Sequence, residues 1–172
     1  MTTLPAGTTV VGSATITTGD LAEHTANKPS FYADPAAWLV AATAHRALTD
    51  SPADVLAGAE DTGVLVMSAN GSRDTLRAIA RSLPRVSPLR FAGANPGVLA
   101  GLPCLRWGLR GPSLLLAAHP DAAAGVAFTV ADGWLRTGQA RHVLLIGLQT
   151  EPGGHLCRCL VLSTEEVPPC PS

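Results

Sequence analysis

The chain has 172 residues, 47% of them hydrophobic and 15% charged, a composition that suits a folded domain with a sizeable core and excludes disorder. Twelve basic residues stand against thirteen acidic ones, a formal net charge of −1, so no sequence-wide positive field draws in nucleic acid or an anionic membrane. No apolar run reaches the roughly 18 residues of a spanning helix and residues 1–20 lack a secretory leader pattern, so the protein reads as cytoplasmic.

In chain order, residues 8–17 are rich in β-branched side chains (Val10, Val11, Ile16) and read as a first strand. Residues 19–30 are polar and broken by Pro29, hence a connecting loop. Asp34 and Pro35 supply an N-cap and an N1 proline for a helix running to Asp50. Trp38, Leu39, Ala42, His45 and Leu48 are predicted on one side of it, His45 as a partly buried structural histidine. Residues 51–61 form a polar connection with one helical turn at 53–56. The apolar run 63–68 (GVLVMS), bounded by turn residues, is a buried strand. Asn70, Gly71 and Ser72 cap the next helix, whose Leu76, Ile79, Ala80 and Leu83 form a core-facing stripe until Pro84 ends it; a loop then runs to Ala94.

The stretch 95–125, NPGVLAGLPCLRWGLRGPSLLLAAHPDAAAG, organises the rest. A helix with Val98, Leu102, Leu105 and Leu109 on one side is stopped by Arg110, Gly111 and Pro112. The all-apolar run 114–118 is predicted to be a strand buried on both faces. A small-residue helix over 121–137, ended by Gly138, is apolar almost all round and so predicted to be buried on most sides. This joint puts His119, Pro120 and Asp121 at a helix N-terminus, where free N–H groups favour anions or thiolates. A nucleophile would sit there, yet none of the three is a thiol or a hydroxyl. His119 is a weak catalytic candidate. Adjacent positions at a helix start seldom converge on one atom, so Asp121 is better read as a first-turn carboxylate favoured by the helix dipole.

Residues 142–147 (HVLLIG) form another strand, Gly153 and Gly154 turn the chain, and 155–163 form the last strand. The tail 165–172, with Pro168, Pro169 and Pro171, reads as loose. The order β, α, β, α, α, β, α, β, β predicts one α/β domain over 1–164, with a mostly parallel five-stranded sheet, an antiparallel edge and flanking helices.

Four cysteines, Cys104, Cys157, Cys159 and Cys170, are too few and too unevenly spaced for a disulfide scaffold. His155, Cys157 and Cys159 alternate along the last strand and share a face. Ligands about 7 Å apart at i and i+2 are too splayed for a compact tetrahedral metal site, so small fillers of a buried sheet are the preferred reading. Cys104 is likewise read as a buried residue. No GxGxxG, P-loop or GxSxG pattern occurs, and neither a cofactor nor a metal is predicted.

Two segments together resemble the N-terminal half of β-ketoacyl synthases of the thiolase fold. NPGVLAGLPCLRWGLRGPSLLL carries an RxGLxGP-type turn at Arg106, Gly108, Leu109, Gly111, Pro112 and Ser113, and WLRTGQARHVLLIG matches a later motif at Leu135, Arg136, Gly138 and Gly147. The resemblance is strongest over 95–147, and element order extends it over 8–164. It implies a thiolase-like half-domain. It also implies an active-site cysteine, whose place falls at Pro120 counting forward from the turn and at Asp121 counting back from Leu135 and Arg136. Neither residue can form a transferable thioester. The family's second half, with two catalytic histidines and a supporting lysine, is expected to be absent.

What the resemblance then implies is a non-catalytic subunit that pairs with an active ketosynthase in polyketide or fatty-acid-type biosynthesis, as chain-length factors do. The alternatives are a self-associating homodimer that binds an acyl group or acyl carrier protein, and an acyltransferase with altered chemistry. In the thiolase family the strand equivalent to Ser113, Leu114, Leu115, Leu116, Ala117 and Ala118 pairs across the dimer, which makes these the interface candidates.

Overall fold

The computed structural model describes residues 4–164. Its strands are β1 (Thr8–Thr18), β2 (Thr62–Met67), β3 (Ser113–Leu116), β4 (His142–Glu151) and β5 (Gly154–Thr164). Its helices are α1 (Pro35–Asp50), α2 (Ala53–Ala57), α3 (Arg73–Ser82), α4 (Pro88–Gly93), α5 (Val98–Trp107) and α6 (Pro120–Arg136), with 3-10 turns at Leu21–His24 and Ala59–Asp61. The sheet order is β1-β5-β4-β2-β3. β2 runs parallel to β3 and β4, while β5 is antiparallel to both β4 and β1, so four of the five strands share one direction. This is the mostly parallel α/β sheet with an antiparallel element that the sequence predicts. The tail 165–172 lies outside the described residues.

Local chemistry sets the ends of these elements. The Asp34 carboxylate accepts the Ala36 N–H at 2.7 Å and caps α1, with Pro35 at its first position. α5 ends at Gly108, whose φ of 65° is the left-handed conformation that glycine adopts without strain. The stop is therefore Gly108 and not the Arg110-Gly111-Pro112 turn. Hairpin β4–β5 closes over Pro152 and Gly153, with Glu151 opposite Gly154.

The sheet is covered unequally on its two faces. α1 and α5 pack on one, burying Leu39, Leu48, Leu99 and Leu102 against Val64, Ile146, Cys157 and Val161. On the other face, among the described residues, α6 lies alone, presenting Ala123, Ala127, Ala131 and Leu135 at four-residue spacing to Leu65, Met67, Val143 and Leu145. The small alanines let the helix backbone approach the sheet closely. Among the described residues, no helix is long and apolar enough to cross a membrane.

Several expectations need correction. β3 is an edge strand, half-exposed along its length, rather than a strand buried on both faces, because among the described residues nothing pairs with it beyond β2. α6 buries one stripe only, and Val126 on its outer side is 57% exposed. The predicted stripe of α3 faces mainly solvent: Leu76 and Leu83 are exposed and Ala80 with them, because α3 packs against the short α4, which the sequence reading leaves as loop. Thr75 and Ile79 are the residues α3 buries. Leu105 is 74% exposed, since α5 turns Leu99, Ala100, Leu102 and Pro103 inward instead. His45 is exposed and stacks on Trp107 at 5.3 Å, so it is not a partly buried core histidine.

Candidate functional site

The joint between β3 and α6 forms as the sequence stretch predicts, but its anchoring comes from backbone packing. Gly111 holds the turn against the start of β2. Its N–H donates to the Thr62 carbonyl at 3.1 Å, and a Cβ at this position would stand 2.6 Å from the Thr62 carbonyl carbon. The Arg110 N–H donates to Ala59 and the Val64 N–H to Pro112, extending the β2–β3 ladder back through the turn. Only glycine fits at 111, which gives the RxGLxGP-type pattern a steric reason. Arg106, the first residue of that pattern, lies over Trp38 and Trp107 and takes no part in the elbow.

Beyond β3 the chain runs Ala117, Ala118, His119 and into α6 at Pro120. His119 occupies the N-cap position, but its side chain makes no capping hydrogen bond. Pro120 is buried, and its ring rests against Gly147 of β4; a Cβ on Gly147 would meet the Pro120 Cβ at 3.2 Å. Asp121 points outward, 83% exposed, and its carboxylate lies 3.6 Å from His119 Nδ1. The two side chains therefore do converge, contrary to the expectation that neighbours at a helix start stay apart. Both are open to solvent, so the contact is worth little to stability.

Beside the elbow lies a mostly apolar hollow of about 250 Å³, lined by Met67, Pro120, Phe128, Leu156, Leu160 and Arg158. It forms where α6 stops covering the sheet, so its wall is the bare half of β5. Its lining comes from four elements, β2, α6, β4 and β5, and no local spacing announces that they meet. Pro120, Asp121 and Gly147 are the participants the sequence patterns single out.

The described cysteines stand away from this joint. Cys104 is on α5, its thiol donating to the Ala100 carbonyl at 3.2 Å, and burial pushes its ionisation up. Cys157 and Cys159 are fully buried under α1; burial pushes the Cys157 thiol up to about 12 and Cys159 well above its usual range. Such thiols are poor nucleophiles and poor metal ligands. His155 is directed to Thr150, with Nδ1 and Oγ1 3.1 Å apart. Among the described residues no cluster of three or more His, Cys, Asp or Glu side chains is placed to hold a metal.

The interface candidates lie in line along the open edge. Ser113 and Ala117 are exposed, while Leu114, Leu115, Leu116 and Ala118 are half-buried. Pro112 and Leu116 turn their carbonyls toward β2, accepting from Val64 and Ser68. By the alternation of a parallel ladder, the backbone groups of Ser113 and Leu115 face outward, with no strand among the described residues to receive them.

Comparison with known proteins agrees with this architecture. The profile described as β-ketoacyl synthase, N-terminal domain, matches residues 16–163. No curated protein matches the chain. Among solved structures, the ishigamide ketosynthase/chain length factor superposes with a TM-score of 0.76 at 16% identity, over 96% of this chain and 64% of that one. A type II PKS acyl-carrier protein in complex with its ketosynthase bound to the hexaketide (AntDE:AntF) gives 0.73 at 15% identity, over 92% and 62%. The ketosynthase ApeO in complex with its chain length factor ApeC, from Xenorhabdus doucetiae, gives 0.65 at 13% identity, over 93% and 80%. At such identities the likeness is one of fold, and the chain spans less than two thirds of the first two structures.

Proposed function

The chain belongs to the β-ketoacyl synthase N-terminal domain family, and from that premise we propose that it is a non-catalytic, ketosynthase-like subunit that pairs with an active ketosynthase in polyketide or fatty-acid-type biosynthesis. The observation that carries this reading is the occupant of the elbow. Where β3 passes into α6, the residue directed onto the sheet is Pro120, a ring with no proton to lose and no lone pair to offer, and its neighbour Asp121 is a solvated carboxylate. Acyl transfer by covalent catalysis needs an activated thiol or hydroxyl at such a point. Beside it β3, the edge of the sheet among the described residues, offers backbone groups to another strand, and association is the physical use that remains for the framework. Its role is then structural, or the shaping of the partner's acyl tunnel.

Incubating the protein with acyl thioesters and measuring its intact mass tests the chemical half of this claim. The mass stays unchanged on this reading; a stable acyl adduct would remove it in favour of an acyltransferase with altered chemistry, for which His119 and Asp121 are the nearest polar pair.

A second reading is favoured by the uncovered flank of α6. Val126 and the apolar hollow beside Pro120 are the surfaces another copy of this chain would cover, giving a homodimer that binds an acyl group or an acyl carrier protein. A dimer of the isolated protein in light scattering supports that version, and a monomer excludes it.

A further inference from the structure

A second site lies on the opposite face of the sheet from the elbow, where α1, α5 and the 3-10 turn Leu21–His24 meet. A hollow of about 230 Å³ opens there, and its polar lining is His24, His45 and Arg106, with Trp38 and Trp107 as its aromatic walls. All three polar groups are basic, and no carboxylate lines it among the described residues.

Arg106 is held in place without being neutralised. Its guanidinium lies 5.3 Å from the ring centre of Trp38 and 5.6 Å from that of Trp107. Each ring is itself fixed. Trp38 is buried, donates its indole N–H to Asn27 Oδ1 at 2.9 Å and meets Phe31 edge-on, while Trp107 is stacked by His45 at 5.3 Å with the planes 17° apart. The ion pairs among the described residues engage Arg77, Arg110, Arg136 and Arg141, and none takes Arg106. The nearby Glu23 accepts instead from the Thr18 hydroxyl at 3.1 Å. Among the described residues no hydrogen bond or ion pair takes up the Arg106 N–H groups, and a side chain packed against two rings spends less entropy on binding.

We propose that this hollow binds the phosphate group of a phosphate monoester. A fork of donors from α5, one imidazole from α1 and another from the 3-10 turn line the same hollow. That arrangement suits a tetrahedral group with three free oxygens better than a carboxylate with two. The volume exceeds what a bare phosphate fills, and the tryptophan walls offer apolar contact to the group that carries it. The ordinary role for Arg106, a charged lid over two tryptophans, predicts the same contacts but no ligand.

The test is titration of the full chain, followed by calorimetry and by tryptophan fluorescence. The probes are inorganic phosphate, glycerol 3-phosphate and AMP, with phosphatidylcholine vesicles containing phosphatidic acid as the lipid arm and sulfate and acetate as controls. The site predicts saturable binding of at least one phosphate probe, weakened at least about tenfold by Arg106→Met and partly retained by Arg106→Lys, which keeps the charge but loses the fork. Arg110→Met, at an arginine paired with Glu60, leaves binding unchanged. Whichever probe binds tightest identifies the source as free phosphate, small metabolite or lipid headgroup. Should Arg106→Met unfold the protein, the His24→Gln/His45→Gln pair takes its place. Absence of phosphate binding up to about 10 mM, equal affinity in the Arg106 and Arg110 variants, or equal binding of sulfate and acetate overturns the proposal. None of these outcomes depends on pairing with a ketosynthase.

Discussion

Pro120, the first residue of α6, lies so close to Gly147 of β4 that a side chain on the glycine would begin 3.2 Å from the proline Cβ. The elbow is thereby pinned to the sheet by direct contact of a ring with a backbone. Replacing Gly147 by Ala requires a shift of a few tenths of an ångström, which the proline can make by moving with the start of α6. Gly147→Val asks for more and is expected to cost about 1–3 kcal/mol. Urea unfolding of the two variants checks this; a valine variant as stable as the parent would show that the elbow is not held by this contact.

Gly111 and Gly108 make a paired test of why the turn is glycine-rich. At Gly111 a Cβ would stand 2.6 Å from backbone atoms that have no room to retreat, so Gly111→Ala is predicted to cost more than about 2 kcal/mol. At Gly108 nothing lies within 4 Å of the added atom, and only the left-handed φ is at stake, so Gly108→Ala costs about 1 kcal/mol. Thermal unfolding ranks them, and the reverse order would refute the steric account.

His142 at the start of β4 is 3% exposed, and neither ring nitrogen has a partner among the described residues. Burial, with the Arg141 charge second, lowers its pKa below the ordinary 6.5, against the opposing pull of Asp54 and Asp61. The unfolded chain thus binds a proton that the folded chain refuses. Stability is full above pH 6.5 and falls as pH drops through the lowered value of the folded state. His142→Phe removes that dependence, so its unfolding midpoint should change less between pH 7.5 and pH 5 than the parent's. Parallel profiles would place the acid sensitivity elsewhere.

How far the sequence could carry these conclusions differs by element. β2, β4 and α1 were legible because an apolar run or a capped stripe is a local signal, and the Asp34–Pro35 start forms as the pattern implies. The stripe of Leu76 and Leu83 misleads because an amphipathic period says that a face is apolar, not that anything covers it. Leu105 fails for a related reason: with Leu99, Ala100, Leu102 and Pro103 all apolar, α5 has two candidate faces, and tertiary contact with α1 chose between them. The elbow's residues could be named from motif spacing, whereas the hollow beside Pro120 and the convergence of His119 with Asp121 depend on where α6 lies across the sheet.

The central claim, that this framework persists for pairing, is tested most directly by light scattering coupled to size exclusion on the protein co-expressed with a ketosynthase encoded alongside it. The account predicts a 1:1 complex that is lost when Ser113 and Ala117, the exposed positions flanking the β3 edge, are both replaced by Lys, with the fold of the variant intact by circular dichroism. A parent protein that elutes as a monomer beside an unaccompanied ketosynthase would contradict it.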